Sequence, residues 1–480
     1  MLGGAGWSYL ATMSSRFVSF AGMLVLARLL QPAEFGLMAM AWLIISYCDT
    51  ISDIGVGPAL VQRKDDLDRS QPVALTVSIA GGVIFSVCTF LSAPFIGDFF
   101  GRPELSNLVR ILSPYFLFST FISVQSFSLQ REFRFNRRVA PELLKSFTKA
   151  GTAITMAALG YGVWSLVWGQ MLGQVVGAAA YVVIGGVAVK FAFDRKIARE
   201  LVAYGAQYSF ATLIGVFSGT IDQLMIGRLL GPEQLGIYNL GWVIPELVIM
   251  GICNTASQVA FPAFSRVQDK PRLLRASFLI SLKLVLSVTI PAAVGIALIA
   301  PDLIRVFYSE VWDKSVPVLQ VMAITALLRS LTFNSGDVLK AIGEVRLLSI
   351  LSALGTAVTI PVLFLTYRHG IVGVALAILA VYGCLTVIMA ELVARKTGLR
   401  HLSILRAMMP VLVSACAMAV ACSMLIAYLG AAPAGVRLAA TVIGGALVYG
   451  ICLWRLDPGG VPARIIRNWL MARFARNVGP

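Results

Sequence analysis

The stretch Ala27–Trp42, ARLLQPAEFGLMAMAW, returns two hundred residues later as Gly227–Trp242, GRLLGPEQLGIYNLGW. Arg28/Arg228, Leu29/Leu229, Leu30/Leu230, Pro32/Pro232, Gly36/Gly236 and Trp42/Trp242 recur in register, and Phe35/Leu235 and Leu37/Ile237 are close in kind. The copies lie nearly half a chain apart. In an apolar chain, a repeat on this scale marks a transporter built from two similar halves, with the substrate path between them.

The rest of the chain supplies the apolar setting. Of 480 residues, 58% are hydrophobic and 13% charged, and the mean hydropathy is +0.84. A soluble domain carries about twice that charged fraction. Apolar runs of about 20 residues, enough to cross a bilayer as a helix, recur throughout. They are not the alternating segments of about ten residues that build outer-membrane barrels. The expected fold class is an all-α polytopic membrane protein.

Fourteen spans are expected: 5–28, 35–60, 72–97, 105–130, 139–159, 163–186, 204–227, 235–261, 277–299, 316–340, 346–366, 371–394, 404–428 and 435–455. The net charge of +16 sits in alternate connections. One set holds Arg63, Lys64 and Arg69; Arg131, Arg134, Arg137 and Arg138; Lys190, Arg195, Lys196 and Arg199; Arg266, Lys270, Arg272 and Arg275; Lys340 and Arg346; Arg395, Lys396 and Arg400; and the tail Arg464, Arg467, Arg473 and Arg476. The other set is sparse: Arg28, Arg102, Arg228, Arg305, Lys314, Arg368 and Arg437. The positive-inside bias places the first set, and both termini, in the cytoplasm. The usual basic cluster before a first span is missing, so either the start lies upstream or orientation rests on the later loops. The positive charge thus follows membrane topology. Without a basic-aromatic module, no nucleic-acid partner is expected.

Six spans separate the two motif copies. Six is even, so both copies face the same side. The halves are then parallel repeats related by a pseudo-two-fold axis along the membrane normal. Ala93-Pro94 echoes Ala300-Pro301, and Tyr161-Gly162-Val163 resembles His369-Gly370-Ile371. The expected organisation is an N-lobe at 1–190, a C-lobe at 191–400, each of six helices, and two extra spans with a basic tail at 401–480. The connection 187–203 alternates apolar and basic residues. It is either a helix lying on the inner membrane surface or a solvated linker.

Several chemistries are excluded. Cys48, Cys88, Cys253, Cys384, Cys416, Cys422 and Cys452 lie inside apolar runs without a CxxC pair, as small core hydrophobes. The two histidines, His369 and His401, lie in different connections, so no metal site and no cofactor is expected beyond a coupling proton or Na+. No connection exceeds about twenty residues, which leaves little room for an enzyme's catalytic loops. No phosphate-cradling GxxxxGK[ST] loop is present. The expected class is a transporter, not an enzyme.

At Arg28-Leu-Leu-Gln-Pro-Ala-Glu-Phe-Gly36 and its copy Gly227-Arg-Leu-Leu-Gly-Pro-Glu-Gln-Leu-Gly-Ile-Tyr238, the chain resembles the polysaccharide transporters of the multidrug/oligosaccharidyl-lipid/polysaccharide flippase superfamily. Asp53-Ile-Gly-Val-Gly-Pro-Ala-Leu-Val-Gln62, Leu129-Gln-Arg-Glu-Phe-Arg-Phe135, Tyr161-Gly-Val-Trp-Ser-Leu166 and Asp222-Gln-Leu-Met-Ile-Gly227 extend the resemblance over residues 1 to 400. The closest type is the bacterial lipopolysaccharide or exopolysaccharide biosynthesis flippase. The resemblance implies two six-helix lobes around a cavity that alternates between inward-open and outward-open states. It implies a polyprenyl-pyrophosphate-linked oligosaccharide as cargo, the bacterial inner membrane as location, coupling to an ion gradient, and other polysaccharide assembly proteins as partners.

Such cargo must be shielded from hydrocarbon, since burying unpaired charge costs several kcal/mol or more. Ionisable groups inside spans are therefore the candidates. Arg16, mid-span among Ser14, Ser15 and Ser19, is suited to a bidentate grip on phosphate or to a structural pair with Asp49 or Asp53. Lys145 and Lys149 share one helical face and either line the cavity or snorkel to the cytoplasmic end. Arg329 is mid-span in the tenth helix. Gln125 and Gln207 offer hydrogen bonds to sugar or, equally, to neighbouring helices. The ion-coupling candidates are Asp222, Asp337 and Asp53. Asp222 could instead brace an arginine. Glu246 follows Pro245, where a freed carbonyl permits a kink. Trp42 and Trp242 are expected to pack the repeat. The competing expectation is an ion-coupled, multidrug-type antiporter on the same fold, whose cationic cargo would call for an anionic cavity.

Overall fold

A computed structural model describes residues 2–53, 55–62, 67–186 and 189–457, with the side chains of 2–13, 16, 61, 62, 67, 68 and 211 left undescribed. The chain divides into two compact units, 1–236 and 237–480. Among the described residues regular structure is helical throughout.

The first unit contains α1 (Leu2–Leu29), α2 (Pro32–Ser52), α3 (Val56–Gln62), α4 (Leu67–Phe100), α5 (Pro103–Leu112), α6 (Tyr115–Arg131), α7 (Asn136–Ala158), α8 (Val163–Ala180) and α9 (Arg195–Leu230). Local chemistry sets the breaks. Pro32 opens α2 at its first turn, where its missing N–H costs nothing. Glu34 reaches back to the Gln31 N–H at 2.7 Å and completes a capping box. Gly55, at φ +57°, separates α2 from α3. A Cβ there would lie 2.6 Å from the Gly205 carbonyl oxygen, so glycine also admits α9. Ser113 and Pro114 split α5 from α6. Helix α7 packs on α1 and α8, and α4 on α5 and α6. Met40, Ile45, Leu60, Leu75, Val124 and Phe116 are fully buried between these helices.

Helix α9 packs on α2, α3 and α4. The first compact unit therefore extends through α9 to Gly236. Residues 189–194 before α9 are not helical. Asp194 caps α9 by accepting from the N–H groups of Lys196 (2.9 Å) and Ile197 (3.2 Å). The basic half of 187–203 is thus the first turns of α9, preceded by exposed Phe191 and Phe193.

The second unit takes up α10 (Pro232–Pro245) from Ile237 onward and continues with α11 (Gly251–Arg266), α12 (Pro271–Phe307), α13 (Val316–Ala341), α14 (Val345–Thr366), α15 (Gly370–Thr397), α16 (His401–Tyr428) and α17 (Ala434–Leu456). A π-helical turn at Glu246–Met250 joins α10 to α11. It follows Pro245, whose missing N–H breaks the ordinary hydrogen-bond ladder. Helix α13 packs on α12 and α15, and α16 and α17 pack on each other and on α12. Arg437 on α17 grips Asp302 on α12 through both carboxylate oxygens, with Nε to Oδ2 at 2.7 Å. Lys283 on α12 pairs with Asp457 just beyond α17. These two ion pairs tie the extra helices to the unit.

By length and hydropathy, eleven candidate crossings stand among the described residues, against fourteen expected. The difference has three sources. Only Phe17–Leu29 of the first helix counts as a short apolar helix; α14 and α15 merge into one stretch, Val345–Thr397; and α7 is absent from the set. Helix α7 carries Arg137, Arg138, Glu142, Lys145 and Lys149, too many charges for a lipid-facing span.

Candidate functional site

Each unit holds its own polar interior, and both follow one plan. In the first, Asp49 and Asp53 stand one turn apart on α2. Ser119 on α6 faces Asp49, and Ser123 faces Asp53. One carboxylate oxygen of each acid is buried without a hydrogen-bond partner. So are both amide atoms of Gln125 on α6 and the side-chain oxygens of Gln170 and Gln174 on α8. Buried polar atoms are nearly always paired, so this concentration of orphans marks an interior prepared for something that supplies hydrogen bonds.

Helix α7 brings the cations. Lys145 lies 3.7 Å from Glu142 and close enough to Asp49 to act on it electrostatically. The Tyr181 hydroxyl donates to the other oxygen of Glu142 at 2.9 Å. Lys149 is exposed, with its ammonium 5.9 Å from the centre of the Trp42 ring. A cation over indole is attracted by the ring quadrupole. Both lysines ride on a notch in α8. A Cβ on Gly173 would sit 2.9 Å from the Lys149 Cβ, and one on Gly177 would sit 3.1 Å from the Lys145 Cβ. On Gly169 it would meet the Lys149 carbonyl at 2.8 Å. The Gly169, Gly173, Gly177 spacing is the small-residue pattern that lets membrane helices touch. That signal was available in the sequence and passed unused.

Asp222 lies elsewhere. It is 3% exposed on α9, beside Tyr47, whose hydroxyl shares a 2.7 Å hydrogen bond with Thr220. It belongs to the packing of α9 on α2. Gln207 is exposed on α9. Arg16 lies on α1, and its side chain falls outside the described residues.

In the second unit the π turn aims Glu246 at Arg329, giving a 2.5 Å contact between Oε2 and Nη1. The guanidinium centre lies 4.9 Å from the Trp242 ring and 5.6 Å from the Tyr382 ring. Arg329 is thus neutralised and held between aromatic rings. Asp337 is 2% exposed and pairs with Lys340 at 3.3 Å. Nearby, Ser281 donates to the Asn334 side-chain oxygen at 2.8 Å.

The shared plan is visible in the residues. Matching Thr120 to Ser330 and Leu129 to Leu339 puts Ser119 where Arg329 stands. In both units an acid of the second crossing faces that position. The first unit has serine there, with Lys145 acting on the acid; the second has the arginine, paired with Glu246. Trp42 and Trp242 do more than pack the repeat, for each lies against a cation. Within the first unit Lys145 acts on Asp49, one turn from Asp53, Lys149 lies by Trp42 and Gln125 is buried on α6; within the second Arg329 pairs with Glu246 and Asp337 with Lys340.

Among the described residues, helices throughout, eleven of them long and apolar enough to cross a membrane, define a polytopic membrane protein. Its fold matches the lipid II flippase MurJ in an inward closed conformation, with a TM-score of 0.75 at 15% identity, covering 94% of this chain and 98% of that one. The polysaccharide biosynthesis protein family matches residues 25–317, and the chain belongs to that family. It is 28% identical over 392 residues to the lipopolysaccharide biosynthesis protein WzxC of Escherichia coli K12, covering 79% of this chain and 78% of that protein. It is also 28% identical over 349 residues to the teichuronic acid biosynthesis protein TuaB of Bacillus subtilis 168, covering 72% of each.

Proposed function

We propose that the protein is a flippase. It carries a polyprenyl-pyrophosphate-linked oligosaccharide across the bacterial inner membrane by alternating access, for lipopolysaccharide or exopolysaccharide assembly. One observation carries this reading: an accessible lysine, Lys149, stands against Trp42 beside Lys145, next to buried glutamine and carboxylate atoms that lack partners. Lysines in such a setting attract the pyrophosphate. Gln125 and its neighbours supply hydrogen bonds to sugar. Arg16 and, after exchange of its carboxylate partner for phosphate, Arg329 are further candidate phosphate ligands, and Gln207 a further candidate for sugar.

Asp53, with Asp222 and Asp337, is the candidate for binding a coupling proton or Na+. A carboxylate held away from water binds either one to relieve its desolvated charge. Both termini face the cytoplasm on the charge distribution, and other polysaccharide assembly proteins receive the cargo on the far side. A drug antiporter would need an anionic cavity for cationic cargo, which the lysine pair disfavours.

The test is reconstitution. Vesicles containing the purified protein and a fluorescent polyprenyl-pyrophosphate oligosaccharide should expose the label to an external quencher faster than protein-free vesicles. The Lys145→Gln/Lys149→Gln variant should lose that gain. Equal rates with and without protein would reject the reading.

A further inference from the structure

Consecutive helices pair in the same way within each unit, α7 with α8 and α14 with α15, yet the two seams differ in chemistry. In the first, Lys145 and Lys149 ride on the glycine notch of α8. In the second, no charged residue occurs between Arg346 and Arg368 or between His369 and Glu391, which takes in nearly all of α14 and most of α15. The notch here lies on the other helix. A Cβ on Gly355 of α14 would sit 3.1 Å from the Leu385 Cδ1 of α15. Beside that contact is a cavity of about 270 Å³, close to the lower end of ligand-pocket volumes, about 300 Å³. Leu354 and Val358 on α14 and Val381, Cys384 and Ile388 on α15 help to line it, and every lining side chain is aliphatic apart from the Cys384 thiol. Leu354, Val358 and Ile388 are exposed. Most of these residues fall in the middle turns of their helices, at the depth where a bilayer is hydrocarbon.

We infer that this seam holds the isoprenoid tail of the cargo. The inference rests on the flippase reading above and adds the part of the cargo that the charged residues leave out. Burial alone gains a tail little inside a bilayer, because lipid is as apolar as leucine. The gain comes from shape, since a methyl-branched chain fills an uneven groove through close dispersion contacts. The setting of the groove separates cargo from ordinary lipid. Val381, Cys384, Leu385 and Ile388 form one stripe of α15 at helical spacing. Tyr382 and Thr386 form another stripe, which meets α13. Thr386 shares a 3.1 Å hydrogen bond with Thr332, and the Tyr382 ring lies 5.6 Å from the Arg329 guanidinium centre. Arg329 stands midway along α13. A tail in the seam is thus one helix away from a mid-span arginine. Phosphate at that depth is costly without such a partner, so a resident phospholipid keeps its headgroup at the interface, whereas a lipid in transit does not.

The test is photo-cross-linking of the full-length protein in vesicles, using a polyprenyl phosphate with a diazirine in its tail. After irradiation and digestion, mass spectrometry should find the adducts concentrated on α14 and α15. Excess unlabelled polyprenyl phosphate should lower them several-fold. Excess saturated phosphatidic acid, the same charged group on straight chains, should not. Ala380→Trp places a large ring in the groove; it should lower the seam adducts several-fold and raise the cargo concentration needed for half-maximal flipping. Val358→Trp is the matching variant if Ala380→Trp fails to fold. Adducts spread evenly over the helices, equal competition by phosphatidic acid, or undiminished seam adducts in the filled variant would overturn the assignment. Competed seam adducts in a protein that shows no flipping would support the tail site and reject the transport reading separately.

Discussion

Arg329 and Glu246 allow the sharpest energetic prediction. Their side chains retain 19% and 39% of their exposure. The pair thus lies between an exposed ion pair, worth below about 1 kcal/mol, and a buried one, where deleting one partner costs about 3–5 kcal/mol. About 2 kcal/mol is reasonable for the pair. The Trp242 and Tyr382 contacts add about 0.5–1 kcal/mol each. Arg329→Leu should therefore cost about 3 kcal/mol. Glu246→Gln keeps the rings and should cost about 2 kcal/mol. In the double variant no charge is left unpaired, so its cost should fall short of the sum by about 2 kcal/mol. Unfolding titrations with SDS in mixed micelles measure all three, and flipping assays on the same preparations separate stability from transport. The double variant should be no less stable than Arg329→Leu alone, at a cost of about 3 kcal/mol, and should not flip. A coupling within about 0.5 kcal/mol of zero would refute the geometry, and wild-type flipping by the double variant would remove Arg329 from the cargo path.

Other outcomes follow from the same contacts. Gly173→Leu should push α7 off α8, costing about 1–3 kcal/mol as overpacking and slowing flipping; unchanged stability in the same micelle titration would contradict the notch. Lys149→Arg should retain flipping while Lys149→Gln raises the cargo concentration needed for half-maximal rate, since charge is kept in one and lost in the other. Asp302→Asn should loosen α17 and speed protease cleavage between α16 and α17, read by gel after limited digestion. Asp53→Asn, Asp222→Asn and Asp337→Asn should be compared under imposed proton and Na+ gradients; the coupling residue is the one whose neutral variant no longer responds, and an unaltered response in all three would reject the assignment.

Much of the architecture was legible because apolar length, charge alternation and a duplicated motif report on membrane crossing directly. Lys145 and Lys149 were legible as a pair because helical spacing puts i and i+4 on one face. The partner of Arg329 was not, since Glu246 lies 83 residues away and reaches it through a π turn that Pro245 permits but does not dictate. The placement of α9 with the first unit was also hidden. Its sequence aligns with the start of the second repeat, whereas its packing is decided by close approaches such as Gly205 against Gly55. The motif marks duplication in the sequence, whereas the approach of Gly36 to Pro232 and of Gly236 to Pro32 belongs to the folded structure alone.

The central claim, that the cargo is a lipid-linked oligosaccharide, is tested most directly by depleting the protein in its own host. The lipid-linked intermediates are then analysed by mass and by accessibility at the cytoplasmic face. The account predicts accumulation of a complete polyprenyl-pyrophosphate-linked repeat unit on that face, with loss of surface polymer. Normal polymer and no accumulated intermediate, together with altered drug tolerance, would contradict it and point to an antiporter.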